Sequence, residues 1–260
     1  MQRRRFVTQL GAGFISALGM GVASTWQRAQ AQTNTLRVQW LGHTCFLFEG
    51  SGRRVLVNPF RALGCTAGYR VPTVASEAVL ISSRLFDEGG TLEGLPGSPR
   101  ILAQPGTYEL NPLQFQGIAT PHDREGGRRF GTNVIWRWRQ GGLNIVHMGG
   151  AAAPIEIEQQ ILLGRPDVLL IPVGGGPKAY NAEEAIAAIR TLRPRIIIPT
   201  HFRTQAANPE ACDIDPIQPF LELMRTTPTQ QANGDSVTLS TANLPGGDGM
   251  MIQLLTYSFS

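Results

Sequence analysis

Residues 168–204 read VLLIPVGGGPKAYNAEEAIAAIRTLRPRIIIPTHFRT. Two apolar runs of strand length, Val168 to Val173 and Ile196 to Ile198, flank a segment of helical periodicity. In that segment Asn181 and Glu184 stand at capping-box spacing. Ala185, Ile186, Ile189 and Leu192 share one face, and Pro194 stops the pattern. Near-continuous apolar runs mark strands covered on both faces. A strand-helix-strand unit of this size normally makes two parallel strands with the helix packed on one side of them.

Upstream the pattern changes to short β-rich runs separated by Gly/Pro turns: Leu36 to Trp40, Cys45 to Phe48, Val55 to Val57, Ala78 to Ser82 and Ile101 to Ala103. From Val134 to Trp138 the residues Val134, Trp136 and Trp138 alternate with Arg137 and Arg139, which predicts a half-buried antiparallel strand. Leu143 to Met148 follows across Gly141-Gly142 as its hairpin partner. Downstream, Asp215 and Pro216 are read as the cap and first position of another helix. An antiparallel first half joined to a strand-helix second half predicts a sandwich of two sheets with helices outside.

The 260 residues, 42% of them apolar, suffice for one large domain. The net charge is +4, but the first 31 residues hold Arg3, Arg4, Arg5 and Arg28 and no acid. Without them the basic groups equal the 19 acidic ones. Composition therefore gives no case for a nucleic-acid partner. Residues 1–31 read as a targeting segment: a basic head, an apolar stretch from Phe6 to Ala23, and Ala29-Gln30-Ala31 as a small-x-small cleavage site. Arg3-Arg4-Arg5-Phe6-Val7 resembles the twin-arginine signal. That resemblance implies export of a folded domain, 32–260, to the periplasm, a lumen or the exterior, with membrane contact only through the signal. Cys45 lies in an apolar run as a buried thiol. Cys65 and Cys212 lie in loop-like sequence, where an oxidising compartment permits a disulfide.

Five segments resemble the metallo-β-lactamase superfamily, specifically a compact branch similar to L-ascorbate-6-phosphate lactonase. They are WLGHTCFLFEG (40–50), VLVNPF (55–60), VLISSRLFDEGG (79–90), TPHDREGGRRFGTN (120–133) with LNIVHMGG (143–150), and VLLIPVGGGP with IIIPTHFRT. The resemblance implies a four-layer αββα sandwich and hydrolytic chemistry at a dinuclear metal centre, with most ligands replaced. Where the family has His-x-His-x-Asp-His, this chain has Ser83, Leu85, Asp87 and Glu88. The next family histidine is matched by His122. The acid that would bridge both metals is Gly150 here, and the last histidine is His201. Asn58 stands where the family commonly has an Asp.

Sorted by site, the first metal position would need Ser83, Leu85 and His122, and leucine offers no lone pair. The second retains Asp87, Glu88 and His201, a set able to hold at most one divalent ion: Zn, Mn or Fe. A capping role at the start of a helix explains Asp87 and Glu88 without any metal. His43 and His147, inside apolar strands, read as structural. Gly174 to Gly176 before Lys178, the sole lysine, lacks the Walker spacing and lines the cleft mouth. Arg84 and Arg203, beside expected ligand positions, are candidates for holding an anion.

Two readings follow. The losses favour an exported, non-hydrolytic protein that binds an anionic small molecule or a partner. The alternative is a mononuclear metal-dependent hydrolase of an ester, lactone or phosphodiester, with His122 as acid or base.

Overall fold

The computed structural model describes residues 34–259 apart from Thr91; the targeting segment read at residues 1–31 lies outside them. The chain forms a six-stranded and an eight-stranded sheet. In the first, Thr35–Gly42 (β1), Cys45–Gly50 (β2) and Arg53–Val57 (β3) make an antiparallel meander. Ala78–Leu80 (β4) and Arg100–Leu102 (β5) add to it in parallel. Ser236–Ser240 (β13) closes the other edge against β1.

The second sheet begins with Gly106–Leu110 (β6), Leu113–Pro121 (β7), Thr132–Gln140 (β8) and Leu143–His147 (β9), all antiparallel neighbours. Val168–Pro172 (β10) and Ile196–Thr200 (β11) follow in parallel, as the opening stretch predicts. Met251–Leu254 (β14) and Thr229–Gln231 (β12) complete it. Gly141 and Gly142 adopt φ of 58° and 81°, the left-handed pair that a two-residue hairpin turn needs.

Between the sheets, Phe46, Phe48, Val134, Trp136, Trp138, Leu170 and Ile198 are among the residues of one apolar core. On the far side of the larger sheet Ile135, Val146, Leu169, Ile171 and Ile197 meet helix Ala182–Leu192 (α2). The β8 strand is therefore covered on both faces around Ile135, and only Thr132 at its start and Arg137 and Arg139 near its end are not buried. Ile157–Leu163 (α1) and Gln218–Leu223 (α3) join α2 in that layer. Asn181 caps α2 through Glu184, and Arg193 ends it with φ of 49°.

The helix expected from Asp215 and Pro216 starts later, at Gln218. Those two residues spend their backbone on other partners: Asp215 N–H donates to Gly174 O, Asp215 O accepts from Arg203 N–H, and Pro216 forms a bridge with Arg203. No helix follows β4 either; the chain from Ser82 to Gly90 is a run of turns. The second outer layer of the sandwich is accordingly loop. Leu47, Leu56 and Val79 lie side by side across β2, β3 and β4, yet all three are buried. Val74 and Leu95, from the connecting segments, pack on the same cluster. Among the described residues, no helix is long and apolar enough to cross a membrane.

Candidate metal centre

One end of the sandwich gathers the polar residues that the motifs single out. His201 directly follows β11, and His122 follows β7. Asp87 and Glu88 lie on the turns after β4, and Lys178 on the glycine loop after β10. The β1–β2 turn adds His43. Loops beyond the carboxyl ends of parallel strands are where α/β sheets ordinarily present their ligand sites. His43, Asn58 and His201 all adopt left-handed backbone, with φ near 50°. Non-glycine residues take that conformation only where surrounding packing imposes it, and such positions cluster at functional sites. Gly174 shows that packing: a side chain there would strike the His201 carbonyl and come within 2.8 Å of Phe202 Cα.

The centre of the site is Glu88, which is completely buried. One carboxylate oxygen lies 2.8 Å from His122 Nε2 and accepts from Ser83 Oγ at 3.1 Å. The other lies 3.3 Å from His201 Nε2 and 3.4 Å from Lys178 Nζ. Burial alone would raise its pKa. The Lys178 ammonium, then the charge and contacts of His122 and His201, reverse this and hold it well below the usual carboxylate range. Burial likewise favours a neutral Lys178, but Glu88 and Asp87 outweigh it and raise its pKa. Lys178 Nζ donates to Asp87 Oδ2 at 2.5 Å. The lysine is therefore a buried cation between two carboxylates.

His43, placed as structural by its apolar flanks, faces this cluster instead. Its ring lies 4.3 Å from that of His201, and its Nε2 is 3.9 Å from Asp87 Oδ2. Burial, then the neighbouring His201 and Lys178 charges, lower its pKa well below normal. It is neutral at pH 7, the ligand form of imidazole. The sequence signal that would have found it is the turn itself, Gly42-His43-Thr44 between two strands.

His147 has the structural part read for it. Gly149 N–H donates to its Nδ1 at 3.1 Å, so Nε2 carries the proton and donates to Thr44 O at 3.1 Å, fixing the His43 turn. Burial lowers its pKa to about 4. The unfolded chain protonates this histidine below about 6.5 while the folded chain resists until about 4. Its contribution to stability is complete above pH 6.5 and shrinks as the pH falls to 4. The expected total loss is about 3 kcal/mol. Urea midpoints at pH 7.5 and 4.5 should show it, and His147→Gln should flatten the difference.

Do these residues fit the metals that the motifs imply? A two-ion centre does not fit. Leu85 has no donor, and Ser83 and His122 both turn to Glu88. The missing bridging acid at Gly150 has been overfilled: a Cβ there would lie 2.5 Å from each Glu88 oxygen and closer still to His122 Nε2. Glu88 occupies that space. The fit for one ion is better. His43, Asp87 and His201 each offer one atom, all within 4.8 Å of one another. Both imidazoles are buried; neither ring nitrogen of His43 makes a hydrogen bond, while His201 Nε2 rests against Glu88. Two histidines and a carboxylate suit Zn, Mn or Fe. The expected trio of Asp87, Glu88 and His201 is thus rearranged: Glu88 is turned inward to His122, and His43 takes its place.

His122, expected as acid or base, is fully buried against Glu88. Its neighbour Asp123 accepts four backbone N–H groups, from Glu125, Gly127, Arg129 and Phe130. Burial opposes its charge, but these bonds dominate and depress its pKa strongly. Asn58 Oδ1 accepts from Ser82 N–H at 2.8 Å, which steadies the turn that carries Ser83. Arg84 is exposed and lines a cleft of about 480 Å³ with Ser83, Leu85, Gln104 and Phe130. Arg203 is also exposed, but its place in the structure is the backbone bridge to Pro216. Cys65 and Cys212 are joined as a disulfide, and Cys45 is a buried thiol.

Comparison with known proteins agrees with this fold. A UPF0173 metal-dependent hydrolase of Methanoculleus marisnigri is 27% identical over 191 residues, 65% of this chain and 82% of that protein. One of Thermoplasma volcanium is 24% identical over 190 residues, 65% of this chain and 84% of its own. A crystal structure from Thermotoga maritima, described as a proposed Zn-dependent hydrolase of the metallo-β-lactamase superfamily, aligns with a TM-score of 0.65 at 23% identity. It covers 85% of this chain and 100% of its own, a likeness of fold. Residues 37–201 match the profile of the Beta-lactamase superfamily domain, more than half of the sequence, and the chain therefore belongs to that family.

Proposed function

We propose that this protein is a hydrolase that uses a single divalent ion, held by His43, Asp87 and His201, to cleave an ester, lactone or phosphodiester. The observation that carries the reading is the convergence of those three side chains, with both ring nitrogens of the buried His43 unbonded. The relatives named as metal-dependent hydrolases favour hydrolysis over the binding-only reading that the replaced ligands suggest. The lactone class rests on the narrower motif resemblance to L-ascorbate-6-phosphate lactonase.

A divalent ion in this set supplies a Lewis acid for the scissile carbonyl or phosphoryl oxygen. The protein's own groups do the rest. Asp87, a quarter exposed, and Lys178, less so, are the charged groups of the cluster that reach solvent. Lys178 presents positive charge to an anionic or developing oxyanionic oxygen. Glu88 and His122 hold each other in the dry interior and fix the far side of the site. Arg84, in the cleft it shares with Ser83 and Leu85, is the candidate for meeting an acidic substituent of the substrate.

In the same reading the substrate is a small molecule and the chain works in an exported, oxidising compartment. The Cys65–Cys212 pair and the twin-arginine-like signal support that location. The test is metal content and turnover of the mature chain on ester, lactone and phosphodiester panels with zinc, manganese or iron. Turnover that chelator abolishes, and that Asp87→Ala loses together with the ion, is expected. No activity on any panel would leave the binding-only reading in its place.

A further inference from the structure

Lys178 is the only lysine of the chain, and its position is built rather than incidental. Its Nζ reaches the Asp87 oxygen that also faces His43, and it stands 3.4 Å from Glu88. Its side chain is only 13% exposed. The loop that carries it is held on both sides. Arg124 donates to Gly176 O and Ala179 O, both at 2.9 Å, and forms a 2.6 Å ion pair with Glu184 at the start of α2. Gly175 N–H donates to Tyr180 O across the lysine. The chain thus aims a fixed positive charge at the one carboxylate of the candidate ion set.

From this geometry we infer that Lys178 is a built-in competitor for the ion: its ammonium and a divalent cation take the same place on Asp87, so loading expels the lysine from the site. This rests on the reading of His43, Asp87 and His201 as the ion-binding set. The physical reason is charge. Asp87 and Glu88 lie side by side in a poorly solvated pocket and need a counter-charge when no ion is present. Lys178 supplies it. An ion bound to Asp87 would stand beside an ammonium that solvent screens only weakly, and the two repel at that range. The flexible four-carbon stem lets the lysine leave without moving the backbone. The metal-free protein consequently carries its own counter-charge, and metal affinity is set low by the protein's own side chain.

The test uses the mature wild-type chain and Lys178→Met. Because no other lysine exists, reductive methylation followed by mass spectrometry reads one side chain. Zinc is the probe. In wild type, labelling of Lys178 should rise about tenfold on zinc saturation as the side chain moves to solvent. Zinc affinity, from competition with a chromophoric chelator, should rise about tenfold or more in Lys178→Met. The thermal midpoint of the metal-free variant should fall and recover with zinc.

Zinc bound to wild type with labelling unchanged, or with no tighter binding in Lys178→Met, overturns the inference while leaving the hydrolase reading intact. Zinc bound only by Lys178→Met supports the inference and removes the wild-type metallohydrolase reading. Zinc bound by neither overturns both. If the variant does not fold, the labelling of wild type decides alone: no rise on added zinc overturns the inference.

Discussion

Replacing Glu88 with alanine is expected to lower the unfolding free energy by about 3 kcal/mol, read as a fall in urea midpoint at constant slope. The carboxylate is fully buried and has four neighbours within 3.4 Å: Ser83, His122, Lys178 and His201. Removing it does not merely delete favourable contacts. It leaves the Lys178 ammonium with Asp87 alone and three polar groups facing a void, and breaking a buried pair from one side is the costly direction. Glu88→Gln keeps the volume and discards the charge, so it separates the two causes. A similar loss in both variants assigns the effect to charge. A loss below about 1 kcal/mol in both would show that the cluster adds no more to folding than an ordinary surface position.

Breaking the Cys65–Cys212 bond should have an effect of comparable size. The bond closes a loop of sequence separation 147. The chain-entropy model gives about 5 kcal/mol for a loop that long, with about 2–5 kcal/mol typical of measured losses. The expected result for Cys65→Ser/Cys212→Ser, or for wild type with a reductant, is a lower thermal midpoint. The ends of the bond are already held close by Gly68 N–H donating to Ala206 O and Asn208 N–H to Gly64 O, both under 3 Å. Geometry is therefore in place without the bond, and the effect should come from the unfolded chain. An unchanged midpoint would mean that the reduced chain keeps these segments together when unfolded. Tyr69 and Thr204, hydrogen-bonded at 2.8 Å, tie the same two segments beside His201. The centre should therefore keep its geometry on reduction.

The parallel strands and α2 were legible because apolar periodicity and capping act over a few residues. So was the hairpin, through its glycine pair. The helix expected from Asp87 was not formed for a reason also present locally: Gly89 and Gly90 follow at once. Gly89 takes φ of 121°, and a side chain at Gly90 would lie 2.7 Å from the carbonyls of Arg84 and Leu85. The acids favour a helix start, but the glycines turn the chain back on itself. Position in a family motif located Asp87, Glu88, His122 and His201 at one end of the fold. It did not show which way each carboxylate points, since that depends on charges brought from distant loops. Lys178 lies 90 residues beyond Glu88, in a glycine run with no chemical signature of its own. His43 was hidden by its apolar neighbours, which pack while the histidine turns the other way. Sequence patterns report what a residue does within its own element; ligand sets depend on where several elements end.

The crowding at Gly150 constrains how this centre can change by mutation. An acid introduced at 150 collides with the Glu88 carboxylate and His122. A histidine at 88 would find no acid at 150 to share an ion with, and would leave the Lys178 ammonium with Asp87 as its one carboxylate partner. Each single substitution towards a bridged pair of ions passes through a protein with a clash or a weakened buried ion pair, so the present arrangement acts as a latch against conversion one residue at a time.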